Sequence, residues 1–292
     1  MLGKLLKYDL RSVGRFWWIA MLTMIGASFS AAVSYRLNVE ITFKQALQSG
    51  ETNILISLAL MALSLIFIIS LVAMGACFLF VAILIYVRYY KHLFTDEGYL
   101  TFTLPVSRKQ IFFSKLVNAG LWLVLSEIVL FACVMVMLVI VTPTYGKGVI
   151  ATETLNDIIK GFVKSFESRG IWMILQGILI VLSAVSATML SVGVVYFCIT
   201  LGATVAKRAK IIVGIGAYYV IDVISRVLGT ILGVVPMVWI IVALTQFSET
   251  NLHLFNGAMT VMLLIFFAAV SLLAAFFHCL TLNILERRLN LA

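Results

Sequence analysis

Three ionisable side chains, Glu127, Asp222 and Arg226, lie inside long apolar runs of this chain. A charge at the centre of a bilayer costs about 3 kcal/mol even on insertion scales, so such residues pair, protonate or mark a polar pathway. Asp222 and Arg226 are four residues apart with the acid N-terminal, which on a helix puts them on one face in the favourable order. Two roles stay open for them: a self-neutralising pair turned to the bundle interior or a subunit interface, or a polar gate or cargo contact on a pathway. Helical rise counted from the inner end puts Asp222 ~16 Å deep, near mid-bilayer. Glu127, next to Ser126, has no partner in reach on its own helix. A structural role, protonated or paired with another span, is preferred for it over proton coupling. His278, near the inner end of the last apolar run, reads as a tolerated polar residue.

Other chemistries lack their motifs. There is no G-x-x-x-x-G-K-[ST] phosphate loop, no H-E-x-x-H and no G-x-S-x-G. The three histidines, His92, His253 and His278, are scattered. The four cysteines, Cys77, Cys133, Cys198 and Cys279, fall in apolar runs without metal-ligand spacing and read as small packing residues. The chain is therefore expected to be no enzyme and to hold no metal or cofactor. An intramembrane protease or transferase built on Glu127, Asp222 or His278 would have no motif behind it.

The elements that must position these residues are transmembrane. The 292 residues are 63% hydrophobic and only 11% charged, with a mean hydropathy of +1.14. Soluble domains carry about a quarter charged residues, so lipid must be the main solvent here. Few prolines and long uninterrupted runs predict helices over a barrel, which would show short alternating segments. The expected fold is an all-α integral membrane protein, one transmembrane domain over 1–292. Six spans are predicted, at roughly 16–35, 54–87, 111–141, 171–201, 211–243 and 257–284. The second would extend ~50 Å as one helix and project beyond the bilayer. The fifth carries Gly229, Gly233 and Pro236. It is expected to cross up to about 230 and then form a short helix that dips back into the outer leaflet, ahead of span six.

Charge sets the orientation. Fourteen of the 21 basic residues fall at the N-terminus, in 88–115, at 207–210 and at 287–288, against the four acids Asp9, Asp96, Glu97 and Glu286. The positive-inside rule then puts both termini in the cytoplasm, which fits an even span count. The net charge of +9 follows this topology and is no sign of nucleic acid. At the N-terminus, Leu2, Leu5, Leu6, Val13, Phe16 and Trp17 recur at helical spacing, while Lys4, Lys7, Arg11 and Arg15 recur on the other face. Residues 1–15 are thus expected to form an interfacial helix whose cations face lipid phosphates, not the n-region of a cleaved signal peptide. On the outer side, Leu155, Ile158, Ile159, Phe162, Val163 and Phe166 make a second amphipathic stretch.

Between spans two and three lies KHLFTDEGYLTFTLPVSRKQIFFSK, residues 91–115. Ser107 and Gln110 have capping-box spacing, flanked by Val106 and Ile111 as a hydrophobic staple, so span three should start sharply at Ser107. Pro105 blocks any helix running into it. Upstream, Thr95 or Asp96 can cap a short helix with Asp96 and Glu97 in its first turn. Tyr99, Phe102 and Thr103 then share a face. The loop at 91–110 is expected to hold a rigid short helix parallel to the membrane, with acids and aromatics exposed.

TDEGYLTFTLPVSRKQIFFSKL resembles the cytoplasmic loop of type-2 ATP-binding-cassette export permeases, particularly those of Firmicutes, and MLGKLLKYDLR resembles their N-terminal helix. The resemblance covers about 35 residues; elsewhere only the six-span layout matches. It implies a coupling helix at 95–104, with Thr95, Asp96, Glu97, Gly98, Tyr99, Leu100, Phe102, Thr103 and Pro105 at the docking surface for a separate ATPase. It also implies re-entrant helices after span five, a second permease subunit (identical or related), and two ATPase subunits that bind ATP and Mg. Asp222 and Arg226 match no motif of that family. The expected function is a permease subunit in the bacterial cytoplasmic membrane that moves an amphipathic cargo outward: peptide, antibiotic or lipid-like. A membrane sensor for envelope or antimicrobial-peptide stress, or an intramembrane enzyme, are the alternatives.

Overall fold

The chain's three prolines stand at 105, 143 and 236, all outside the long helices, so nothing interrupts the apolar runs that form them. The computed structural model describes residues 2–47, 54–95, 97–98, 103, 106–141, 160–161, 163–164, 166–167, 170–205, 209–229, 238 and 252–288. Among them the regular elements are helices: α1 (Leu2–Leu47), α2 (Ile54–Phe94), α3 (Arg108–Val141), α4 (Ile171–Val205), α5 (Lys210–Gly229) and α6 (Leu252–Arg288). Five of these helices, α1 to α4 and α6, are long and apolar enough to cross a membrane, the character of a multi-pass membrane protein. Large apolar side chains stand exposed along them, Ile54, Ile69 and Leu272 among others, as a hydrocarbon solvent allows.

The helices outrun the hydropathic segments. α1 is one helix of 46 residues, with no break between the interfacial stretch expected at 1–15 and the span expected from 16. Hydropathy marks where apolar side chains begin; it does not mark where a helix stops, and no proline separates the two parts. α2 likewise runs to Phe94, so Lys91, His92, Leu93 and Phe94 belong to the helix instead of the loop. α5 ends at Gly229, and the outer-leaflet helix expected after it lies outside the described residues.

Two compact units divide the chain: Tyr8–Ile85 with Leu121–Lys164, and Met1–Lys7 with Tyr86–Gly120 and Ser165–Ala292. In the first, α1 and α2 form an antiparallel hairpin joined by a polar seam. Thr23 meets Cys77 at 3.2 Å, Ser30 meets Ser70 at 2.7 Å, and Asn38 donates to the Leu60 carbonyl at 3.1 Å. Tyr35 packs on Phe67 between them. Small hydroxyls let the backbones approach, and each side-chain hydrogen bond in a membrane contributes about 0.6 kcal/mol. Trp17 then ties α1 to α3: its indole N–H donates to Ser126 at 2.8 Å, and its ring lies 5.0 Å from Trp122.

In the second unit, α4 pairs with α6. Gln176 bonds Thr260, Ser271 donates to Ser186, and Gly193 lies against His278. These pairings ascend together along both helices, so α4 and α6 are parallel. The chain between Val205 and Leu252 therefore returns to the end where α4 began. α3 runs antiparallel to both, with Lys115 beside Tyr196, Phe112 beside His278 and Arg108 at Leu285.

Candidate functional site

The exit of the α2–α3 loop is fixed by the capping box. The Gln110 backbone N–H donates to Ser107 Oγ at 3.4 Å, and the Ser107 N–H donates to Gln110 Oε1 at 3.3 Å. The first helical bond comes next, from the Ile111 N–H to the Ser107 carbonyl at 3.2 Å. Two of the four orphan donors of α3 are thus met by groups three residues apart. Ile111 and Phe112 enter the core directly behind the cap.

At the loop's entrance the chain folds back on α2. The Gly98 N–H donates to the Thr95 carbonyl at 2.7 Å, closing a turn. A Cβ on Gly98 would stand 2.8 Å from the Leu93 carbonyl oxygen, so only glycine allows this approach. The Thr95 hydroxyl donates backward to the Lys91 carbonyl, and so closes α2; it does not cap a following helix. Glu97 and Gly98 are helical, and Thr103 lies exposed in a turn. Asp96, Tyr99, Leu100, Phe102 and Pro105 lie outside the described residues.

Behind this turn sits a polar relay. Lys115, only 4% exposed, approaches His92 Nδ1 at 3.3 Å. An ammonium has only donors, so Nδ1 accepts and the ring proton is assigned to Nε2. Nε2 faces Glu97 Oε2 at 3.8 Å, close enough for attraction but not for a direct hydrogen bond. The Lys115 carbonyl accepts from the Tyr196 hydroxyl at 3.3 Å. Tyr196 also stacks on Tyr89 with ring centres 3.7 Å apart, and the Tyr89 hydroxyl meets Thr200 at 3.0 Å. Loop, α2, α3 and α4 are therefore locked together by buried aromatic and polar contacts.

A second lock joins the loop's exit to α6. Arg108 Nη1 donates to the carbonyls of Leu285 and Glu286, both at 3.1 Å, and Lys109 Nζ lies 3.5 Å from the Glu286 carboxylate. Those carbonyls belong to the last four of α6, which have no intrahelical partner. The cations also oppose the negative end of the helix dipole.

No family model matches the chain, and no curated protein or solved structure matches it either.

The remaining candidates do not join this assembly. Asp222 is half-buried on α5, with its carbonyl accepting from Ser225, but the Arg226 side chain lies outside the described residues. Glu127 is half-buried on α3; its neighbour Ser126 makes the bond to α1. Lys7, Arg11 and Arg15 are exposed along α1, and the Lys4 side chain is not described. His278 is packed on Gly193 and Phe112, with its ring nitrogens buried. Of the outer amphipathic stretch, Val163 and Phe166 are exposed, and 155–159 and 162 lie outside the description. No group of histidine, cysteine and carboxylate residues suited to a metal occurs among the described residues.

Charge counting alone missed Arg108, Lys109 and Lys115, which entered only as inner-side basic residues, and His92 entered only as one of three scattered histidines. One signal was available: Lys115 falls in register with Ile111, Phe112 and Asn118 on the buried face of α3, an odd place for a solvated cation.

Proposed function

We propose that this chain is the permease subunit of an ATP-binding-cassette exporter, and that the α2–α3 loop is where a separate ATPase subunit drives it. The observation that carries this reading is the loop's construction. A connector of this length needs neither a reciprocal cap at its exit nor a glycine-dependent fold-back at its entrance, yet this one has both, and it presents the Glu97 carboxylate to solvent. A surface meant to receive force must not yield locally, and the two ends of this loop are tied to α2, α3, α4 and α6.

In this reading two ATPase subunits bind ATP and Mg, close on each other, and push on loops 95–107 of two paired permease subunits. The push tilts the spans and opens a path outward for an amphipathic cargo. Six crossings are supported by the parallel pairing of α4 and α6, because a chain that joins them must recross the bilayer between 205 and 252. Both termini then lie in the cytoplasm of a bacterial cell, as the basic residues favour.

The test is charge reversal on the loop in the assembled transporter. Asp96→Lys with Glu97→Lys is expected to leave basal ATP hydrolysis of the partner intact while abolishing its stimulation by cargo and the transport itself. Normal stimulation and transport in that double variant would rule out the loop as the docking point.

A further inference from the structure

Two neighbouring cations, Arg108 and Lys109, tie the exit of the loop to the far end of the chain. We propose that Arg108 is a positioning residue that makes the 95–107 loop and the C-terminal end of α6 move as one body. The proposal deepens the coupling reading and rests on it for the loop's role as the point of input.

Five observations carry it. Arg108 is the first residue of α3, immediately behind the Ser107 cap, so its backbone moves with the loop. Its guanidinium reaches two consecutive carbonyls, Leu285 and Glu286, from a single Nη, which restrains α6 in direction as well as distance. Lys109 adds a second point of attachment on Glu286 through the side chain. Leu285 is itself buried, so the end of α6 held by Arg108 is seated in the core and cannot slide freely under a pull. Both bonds leave one planar Nη whose directions the guanidinium fixes; a lysine ammonium has donors enough but carries them on a freely rotating head. α6 pairs with α4 from Thr260 to His278 through Gln176–Thr260, Ser186–Ser271 and Gly193–His278, so a displacement of its end is passed along that seam.

Hydrogen exchange on the full chain in lipid nanodiscs tests this without knowledge of any cargo. In Arg108→Gln the amides of 283–288 are expected to exchange about two- to fivefold faster, as for an end that has lost a cation at its dipole. Arg108→Lys, which keeps the charge but loses the fixed planar donor pair, should recover part of that protection. An antibody fragment raised against the 95–107 loop then serves as the probe. Its binding is expected to change exchange at 283–288 in the unaltered chain and to leave that region unchanged in Arg108→Gln. No response at 283–288 in the unaltered chain, or an equal response in both, overturns the proposal. Failure of the ATPase reading would appear separately, as absence of an ATPase on purification, and would leave this result standing.

Discussion

Gly98 and Ser107 bracket the loop, and their substitution separates geometry from charge. Gly98→Ala places a methyl against the Leu93 carbonyl, which belongs to a buried helix end and cannot move aside. The expected cost is about 1–3 kcal/mol, read as a lower thermal midpoint in detergent. Gly177→Ala, on an open face of α4, is the control and should be neutral or stabilising. Ser107→Ala removes one half of the box and is expected to cost about 1 kcal/mol. The Ser107–Gln110 pair was legible in the sequence because both partners lie within one helical turn. The need for glycine at 98 was not, because it arises from how the chain folds back on a helix five residues earlier. Arg108 and Lys115 were hidden for a stronger reason: their partners lie on helices remote in sequence, and charge counting sees only the side of the membrane.

Among the described residues, apolar runs revealed the existence and type of the long helices, and the Ser107 cap placed the start of α3, while α1 and α2 run past their expected bounds. α1 swallows the expected interfacial segment and α2 absorbs four residues of the expected loop, since helical hydrogen bonding continues past the edge of hydrocarbon until something stops it. The α4–α5 hairpin offers a second test. A Cβ on Gly202 would lie 2.5 Å from the Lys210 carbonyl oxygen and 2.7 Å from the Gly214 nitrogen, both backbone atoms. Gly202→Ala should therefore force α4 and α5 apart and destabilise the protein by about 1–3 kcal/mol or more, again against Gly177→Ala. In the other unit, Trp17→Phe keeps the ring contact with Trp122 but loses the bond to Ser126, with an expected loss of about 0.5–1.5 kcal/mol in the same assay.

For the whole molecule, the alternating directions of the helices bear on topology. α1 is antiparallel to α2, α3 is antiparallel to α4 and α6, and α4 is parallel to α6. With six crossings, tags at the N- and C-termini should be reached only after the membrane is opened, whereas a tag within 142–159 should be reached from outside intact cells. A C-terminal tag accessible from outside would break that topology. In the proposed exporter, another protein's ATP chemistry moves this chain through the α2–α3 loop. The most direct test of that coupling is a photo-crosslinker at Thr103, which is exposed in a turn of that loop. With the chain in its native membrane, position 103 is expected to form a nucleotide-sensitive crosslink to an ATP-hydrolysing subunit that co-purifies with it. A chain that purifies without any such subunit, and forms no crosslink from position 103, would contradict coupling through the α2–α3 loop.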